Sequence, residues 1–214
     1  MKQKLIHIIK EDNFLSLSGN VIIAFFGIVN FALLARSFAP EAFGQWVIFL
    51  SASAFLDMFR FGITNTGLVR FLSGADGSQR KAFLGSNTRI SLLTSLLMSA
   101  LLLACWWGFR PALENSDYAL FFMWYPVLAL VNLPWNNALV VLQAENSFGK
   151  ILFLKALNSV SLFILILIHS IHPFLDLSQL LFIWVLINLG TSLVSLLKGW
   201  DGMQYFRKAE KACG

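Results

Sequence analysis

Charged residues are scarce in this sequence of 214 residues. Asp, Glu, Lys and Arg make up only 13% of it, whereas a soluble globular domain carries about 25%. Hydrophobic residues reach 57%, and the mean hydropathy is +0.72. So little charge cannot cover a surface that faces water. The composition therefore excludes an ordinary soluble helical domain and predicts an integral membrane protein.

Cysteines and catalytic motifs are also scarce. The two cysteines, Cys105 in an apolar run and Cys213 near the end, are far apart, which argues against a disulfide framework. His169 and His172 lie three residues apart but have no evident third ligand. The sequence shows no CxxC or HExxH spacing, no phosphate-binding glycine loop and no nucleophile elbow. We therefore predict no enzyme activity, no metal and no cofactor.

Long apolar runs dominate what is present. A helix crosses the hydrocarbon core of a bilayer with about 20 residues. The runs are continuously apolar rather than alternating, which favours helices over a barrel. We predict an all-α bundle of six transmembrane helices, over residues 14–36, 46–68, 90–109, 118–142, 151–169 and 175–197.

The basic residues predict how the bundle lies in the membrane. With the N-terminus inside, 13 of the 16 Lys and Arg residues fall on the inner side and only Arg36 and Arg110 fall outside. This arrangement explains the net charge of +5 without a nucleic-acid partner. It places both termini in the cytoplasm, with an amphipathic lead over residues 1–13 and a basic tail over residues 198–214.

Two opposite charges interrupt the second predicted span, in the stretch "FLDMFRFG". Asp57 and Arg60 are three residues apart, so they share one face of a helix. An isolated charge at this depth costs about 2.5–3.5 kcal/mol on insertion scales. Two interpretations stay open: the pair neutralises itself and joins helices, or it faces a water-filled cavity where Arg60 meets an anionic substrate.

Other polar residues in the spans extend this hypothesis. Asn65 and Arg70 continue a partly polar stripe from Arg60 towards the inner face, although Arg70 alone is typical of an interfacial residue. Asn30 in the first span lines either a helix contact or a pore. In the fourth span, two prolines each remove a backbone hydrogen bond, which predicts a kink that serves either transport or packing; they are Pro126 and Pro134.

The first part of the sequence resembles bacterial polysaccharide flippases of the Wzx type, in the multidrug/oligosaccharidyl-lipid/polysaccharide superfamily with its MATE-like fold. The resemblance is carried by "LLAR" (Leu33 to Arg36), "FAPEAFGQW" (Phe38 to Trp46) and "GITNTGLVRF" (Gly62 to Phe71). The stretch "LQAENSFGKILFLKALNSV" (Leu142 to Val160) is similar to the family's inner loop between spans four and five.

The resemblance implies an inner-membrane protein that moves undecaprenyl-diphosphate-linked oligosaccharide, such as O-antigen units, by alternating access. It implies that cationic residues in a cavity meet the diphosphate; Arg60, Arg70 and Arg89 are the positions that fit. Family members usually have twelve or more spans, and this chain has six. A truncated gene, a fragment and a half-transporter that pairs with a second half or a second copy all remain open.

Two other functions also remain open. One is a fragment of a MATE-like drug or cation antiporter, for which acidic residues should dominate the cavity. The other is a membrane subunit that does not transport but holds polysaccharide-synthesis enzymes together. A purely structural role for Asp57 and Arg60 would favour the second.

Overall fold

The computed structural model describes residues 12–72 and 75–206, without the side chains of residues 12–16, 18, 63–66, 70 and 78. The predicted amphipathic lead therefore lies almost entirely outside the described residues. All the regular elements in the described ranges are helices: α1 (Asp12–Ser37), α2 (Pro40–Leu72), α3 (Gly77–Gly108), α4 (Arg110–Leu113), α5 (Ala119–Val131), α6 (Leu133–Ala144), α7 (Phe148–Ile171) and α8 (Leu177–Leu197).

Five of these helices are long and apolar enough to cross a membrane, namely α1, α2, α3, α7 and α8. Helices α5 and α6 meet at a bend of 48° and pass the same test when taken together, which gives a sixth candidate span. Many large apolar side chains on the helices are exposed, including Ile28, Met58 and Leu97. Such a surface suits hydrocarbon better than water. The predicted all-α class of membrane protein agrees with these features.

Several helices run longer than the predicted spans because residues between those spans continue the helix. Pro40 is the first residue of α2 and Glu41 lies in its first turn. Proline fits there because the N–H it lacks would have no partner inside the helix. The link between α1 and α2 is consequently only residues 38–39.

The bundle has two ends, which we name by the chain. The proximal end is where α1 begins and α8 finishes; the distal end is where α1 finishes and α8 begins. α1 packs chiefly along α7, and the two run parallel, since Gly19 lies beside Lys155 and Phe26 contacts Phe163. The largest core cluster joins α2, α5 and α8 around Phe49, Tyr125 and other apolar residues.

The segment that follows α8 turns back onto the proximal end. Gly199, with φ of +62°, follows the helix, and the N–H groups of Gly199 and Trp200 bond the carbonyls of Leu196 and Ser195. This is a Schellman ending, which favours glycine at the left-handed position. The proximal segment, residues 198–206, then packs on α3 and α6, where Gly202 lies against Leu84 and Val141. Part of the predicted tail is thus built into the bundle.

Candidate functional site

Asp57 and Arg60 form the ion pair that their spacing predicts. Arg60 Nη1 lies 2.6 Å from Asp57 Oδ1, and the Tyr125 hydroxyl donates to the same oxygen at 2.9 Å. Arg60 is only 2% exposed, whereas the Asp57 side chain keeps 33% of its surface exposed. The two charges therefore occupy different surroundings: the guanidinium is enclosed by helices, and the carboxylate stands at the edge of that enclosure.

The remaining donors of Arg60 reach two other helices. Nη2 donates to the carbonyl oxygen of Ala129 in α5 at 2.5 Å and to Ser95 Oγ in α3 at 2.8 Å. Nε also contacts Ser95 Oγ, at 3.2 Å. The planar fork of arginine suits such simultaneous bonds. One side chain of α2 thus joins α3 and α5.

The Ala129 carbonyl belongs to the break between α5 and α6. Pro134 has no N–H, so the helix cannot continue regularly through this point, and the last carbonyls of α5 need other donors. The Asn132 N–H donates to the carbonyls of Leu128 and Leu130. Arg60 donates a hydrogen bond to the Ala129 carbonyl, and Ser192 Oγ from α8 donates one to the Val131 carbonyl at 2.6 Å.

The break is therefore stabilised from outside the broken span. A helix ends with partial negative charge on its free carbonyls, so a cation at this position is favourable. Arg60 supplies that cation to α5. Of the two predicted kink residues, Pro134 adjoins the break, whereas Pro126 lies inside α5.

A row of serines lets α3 approach α5 closely. Ser91, Ser95 and Ser99 recur every four residues and are all buried. Ser99 Oγ donates to the carbonyl of Pro126 at 3.0 Å. Ser95 Oγ donates to the carbonyl of Ser91 in its own helix and accepts a hydrogen bond from Arg60. Small residues at such spacing are typical of close contacts between membrane helices.

Asn30, the candidate from the first span, lies elsewhere, in a cleft bounded by α1, α2, α7 and α8. The cleft has a volume of about 320 Å³, near the lower end of the range for ligand pockets. Its walls are mainly apolar, with Phe26, Phe31 and Leu162 among them. Asn30 is 8% exposed, and its Oδ1 has no hydrogen-bond partner among the described residues.

A second amide, that of Asn158 on α7, also lines this cleft. Its Nδ2 donates to Asn188 Oδ1 and Thr191 Oγ1 on α8, both at 3.3 Å. Asn158 is thus hydrogen-bonded to α8, while Asn30 lines the cleft and its Oδ1 has no hydrogen-bond partner among the described residues. The cleft, which we call the Asn30 cleft, combines an apolar wall with one buried amide whose oxygen has no hydrogen-bond partner within the described ranges.

The other predicted residues are not brought to either place. Arg89 lies at the proximal end, where Nε donates to the Phe206 carbonyl at 3.0 Å and the guanidinium covers the Phe206 ring. Asn65 and Arg70 belong to α2, but their side chains lie outside the described residues, so the predicted stripe stays a prediction.

Several participants were absent from the sequence prediction. The serine row of α3 is visible in the sequence as a repeat of four and could have been found. Tyr125 is adjacent to Pro126 in an apolar run, and nothing in that run marks it as a partner of Asp57. The Ala129 carbonyl carries no side-chain signal at all.

Neither the titratable side chains nor the comparisons with known proteins assign a further function to the described residues. Among the described residues, no group of three or more His, Cys, Asp or Glu side chains could hold a metal ion. Comparisons with protein-family models, curated proteins and solved structures found no match.

Proposed function

We propose that this chain is the N-terminal six-helix half of a flippase of the bacterial inner membrane. Its cargo would be an undecaprenyl-diphosphate-linked oligosaccharide, moved from the inner to the outer leaflet during polysaccharide biosynthesis. The cargo and the membrane come from the sequence resemblance. The observation that carries a transport role is the Asn30 amide, which lines an apolar cleft and whose oxygen has no hydrogen-bond partner in the part of the chain that the structure describes.

A buried amide without a partner is costly, by about 1–3 kcal/mol. Polar groups inside membrane helices are therefore usually paired, or they face a cavity or substrate path. The Asn30 cleft offers apolar contacts together with a hydrogen-bonding group. This combination suits an amphipathic molecule that brings a hydroxyl or another polar group to Asn30.

The broken span supports the same proposal. Transporters commonly contain discontinuous helices where parts of the bundle move relative to one another. Here the break at Asn132 has donors from α2 and α8, so a change in either helix would alter the bend. In this proposal a second half, or a second copy of the chain, supplies the opposite wall of the transport path.

A scaffold for polysaccharide-synthesis enzymes is the second candidate, and the position of Arg60 favours it. The guanidinium is enclosed and bonded to three helices rather than directed at a substrate path. The drug or cation antiporter has no comparable support, because Asp57 is already paired with Arg60.

The test reconstitutes the whole chain in lipid vesicles that contain a labelled polyprenyl-diphosphate oligosaccharide. A membrane-impermeant glycosidase reports the rate at which sugar reaches the outer leaflet. We expect Asn30→Leu, which keeps a similar volume, to slow this rate about tenfold, because the loss of one hydrogen bond of about 1.4 kcal/mol has that effect. Ile28→Leu, an exposed position on the same helix, is the matched control and should leave the rate unchanged.

Varying the ratio of protein to lipid tests the need for a second copy. A rate that rises with the square of the protein density indicates a homodimer. Equal rates with and without protein would reject translocation by this chain. Equal rates for the wild type and Asn30→Leu would reject the Asn30 cleft as the transport site.

A further inference from the structure

Lys155 places a positive charge one helical turn from the residues of α7 that line the Asn30 cleft. It is the eighth residue of α7, and its Nζ donates to Asn20 Oδ1 on α1 at 3.1 Å. Gly19 lies beside the same side chain: a Cβ there would be in ordinary van der Waals contact with Lys155 Cδ, at 3.6 Å. Asn158 and Ser159, three and four residues farther along α7, already line the cleft.

The charge of Lys155 has no carboxylate partner among the described side chains. The ion pairs there join Asp57 to Arg60, Arg80 to Glu145 and Arg110 to Glu114. An ammonium group has three donors, and the amide of Asn20 takes one of them. Two donors of Lys155 therefore remain for an external anion.

The position of Lys155 along the helices indicates which anion. Lys155 is the eighth residue of the candidate span of α7, which covers Phe148–Ile171, so its Cα lies about 10 Å from the start of that span. From this depth a lysine side chain can extend its ammonium group towards the lipid headgroups of a bilayer. Ser159 lies four residues deeper, about 6 Å along the helix, and its hydroxyl makes no hydrogen bond to the described residues.

We infer that Lys155, Asn20 and Ser159 form a binding site for an anionic phospholipid of the surrounding bilayer. The phosphate contacts the Lys155 ammonium group, an ester carbonyl of the lipid accepts a hydrogen bond from Ser159, and one acyl chain follows the apolar wall of the cleft from Ile23 to Phe26. Asn30 is ten residues beyond Asn20 on α1, about 15 Å away along the axis, so the two binding groups are separable.

The inference requires that the chain lies in a bilayer, and it does not require that the chain transports anything. Its alternative is that Lys155 only extends its charge to the interface, as lysines near helix ends do. In that case no lipid should be preferred at this position. A polyprenyl phosphate would bring the same phosphate chemistry from a different source.

Native mass spectrometry of the whole protein, released from an equimolar mixture of phosphatidylglycerol and phosphatidylcholine, tests the site. We expect the first bound lipid to be phosphatidylglycerol with about fivefold preference, because one lysine near an anionic lipid contributes about 1 kcal/mol. Lys155→Gln should remove the preference, Lys155→Arg should keep it, and Ser159→Ala should reduce it. Lys150→Gln is the matched control, since Lys150 already lies over the Trp200 ring.

Three results would overturn the inference. The first is an unchanged preference in Lys155→Gln whose helical circular dichroism matches that of the wild type. The second is an equal loss in Lys150→Gln. The third is full displacement of phosphatidylglycerol by an equal amount of polyprenyl phosphate, which would reject the bilayer phospholipid as the ligand. Asn30→Leu should keep the lipid preference while it slows translocation, so the two proposals fail separately.

Discussion

Removing the guanidinium of Arg60 should destabilise the whole bundle. Arg60→Met keeps most of the side-chain volume but leaves the Asp57 carboxylate without its cation and the Ala129 carbonyl without its donor. Breaking one side of a buried ion pair costs about 3–5 kcal/mol. Because 33% of the Asp57 side chain stays exposed, the carboxylate is not fully buried, so we expect the lower end of this range, about 3 kcal/mol.

The double variant Asp57→Leu/Arg60→Met separates the ion pair from the other contacts. With both charges gone, the remaining deficits are the Ala129 carbonyl and the Tyr125 hydroxyl, two neutral groups that each cost about 1–3 kcal/mol when unsatisfied. The double variant should therefore be no less stable than Arg60→Met, although it carries one more substitution. A double-mutant cycle converts this difference into a coupling energy.

The assay is reversible unfolding in mixed micelles with increasing dodecyl sulfate, followed by far-ultraviolet circular dichroism. Lys would not replace Arg60 fully, since its point charge cannot serve Asp57, Ser95 and Ala129 together. Arg60→Met as stable as the wild type would refute the structural role. Additive losses in the double variant would show that the pair is not coupled.

Two further predictions concern the proximal end. Burial raises the pKa of the Asp201 carboxyl, which is 3% exposed and has one oxygen without a hydrogen-bond partner among the described residues. Packing of the proximal segment should therefore be strongest at low pH and weaken as the pH rises through the raised pKa. Asp201→Asn should make the opening free energy, measured by hydrogen exchange corrected for its intrinsic rate, independent of pH, and a persistent pH dependence would implicate another group. Arg80 and Glu145 form an ion pair at 2.6 Å, with about a third of each side chain exposed. Arg80→Ala should therefore lower the free energy of unfolding by only about 0.2–1 kcal/mol in the micelle assay. A loss above about 2 kcal/mol would show that the pair contributes more than a surface ion pair does.

The sequence was sufficient to predict the helices and some of their polar residues. Apolar runs longer than a bilayer crossing predicted six spans, and the described residues hold five qualifying helices and one bent pair. The separation of three placed Asp57 and Arg60 on one helix face, where they are in contact. Pro126 and Pro134 both predicted a kink in the fourth span; the break adjoins Pro134, whereas Pro126 lies inside α5. These predictions depend on the properties of residues that are close together in the chain, which can be read from the sequence.

Long-range partners were beyond such reasoning. The Arg60 contacts with Ser95 and Ala129 join residues 35 and 69 positions apart. A carbonyl that lacks its helical donor has no side chain to identify it, and Tyr125 is only one of many aromatic residues. Lys155 was assigned to the inner side by charge counting alone, so its contact with Asn20 was not foreseen.

The separation of the Arg60 contacts along the chain has a consequence for how the protein would enter a bilayer. α2 is synthesised well before α5, so at that time Arg60 has neither Ala129 nor Tyr125 to bind. Asp57, one helical turn away, is present from the start and can neutralise the guanidinium during insertion. The carboxylate would then first act by lowering the cost of moving the Arg60 charge into the bilayer. Asp57→Leu should accordingly lower the yield of inserted protein more than it lowers the stability of molecules that have already folded.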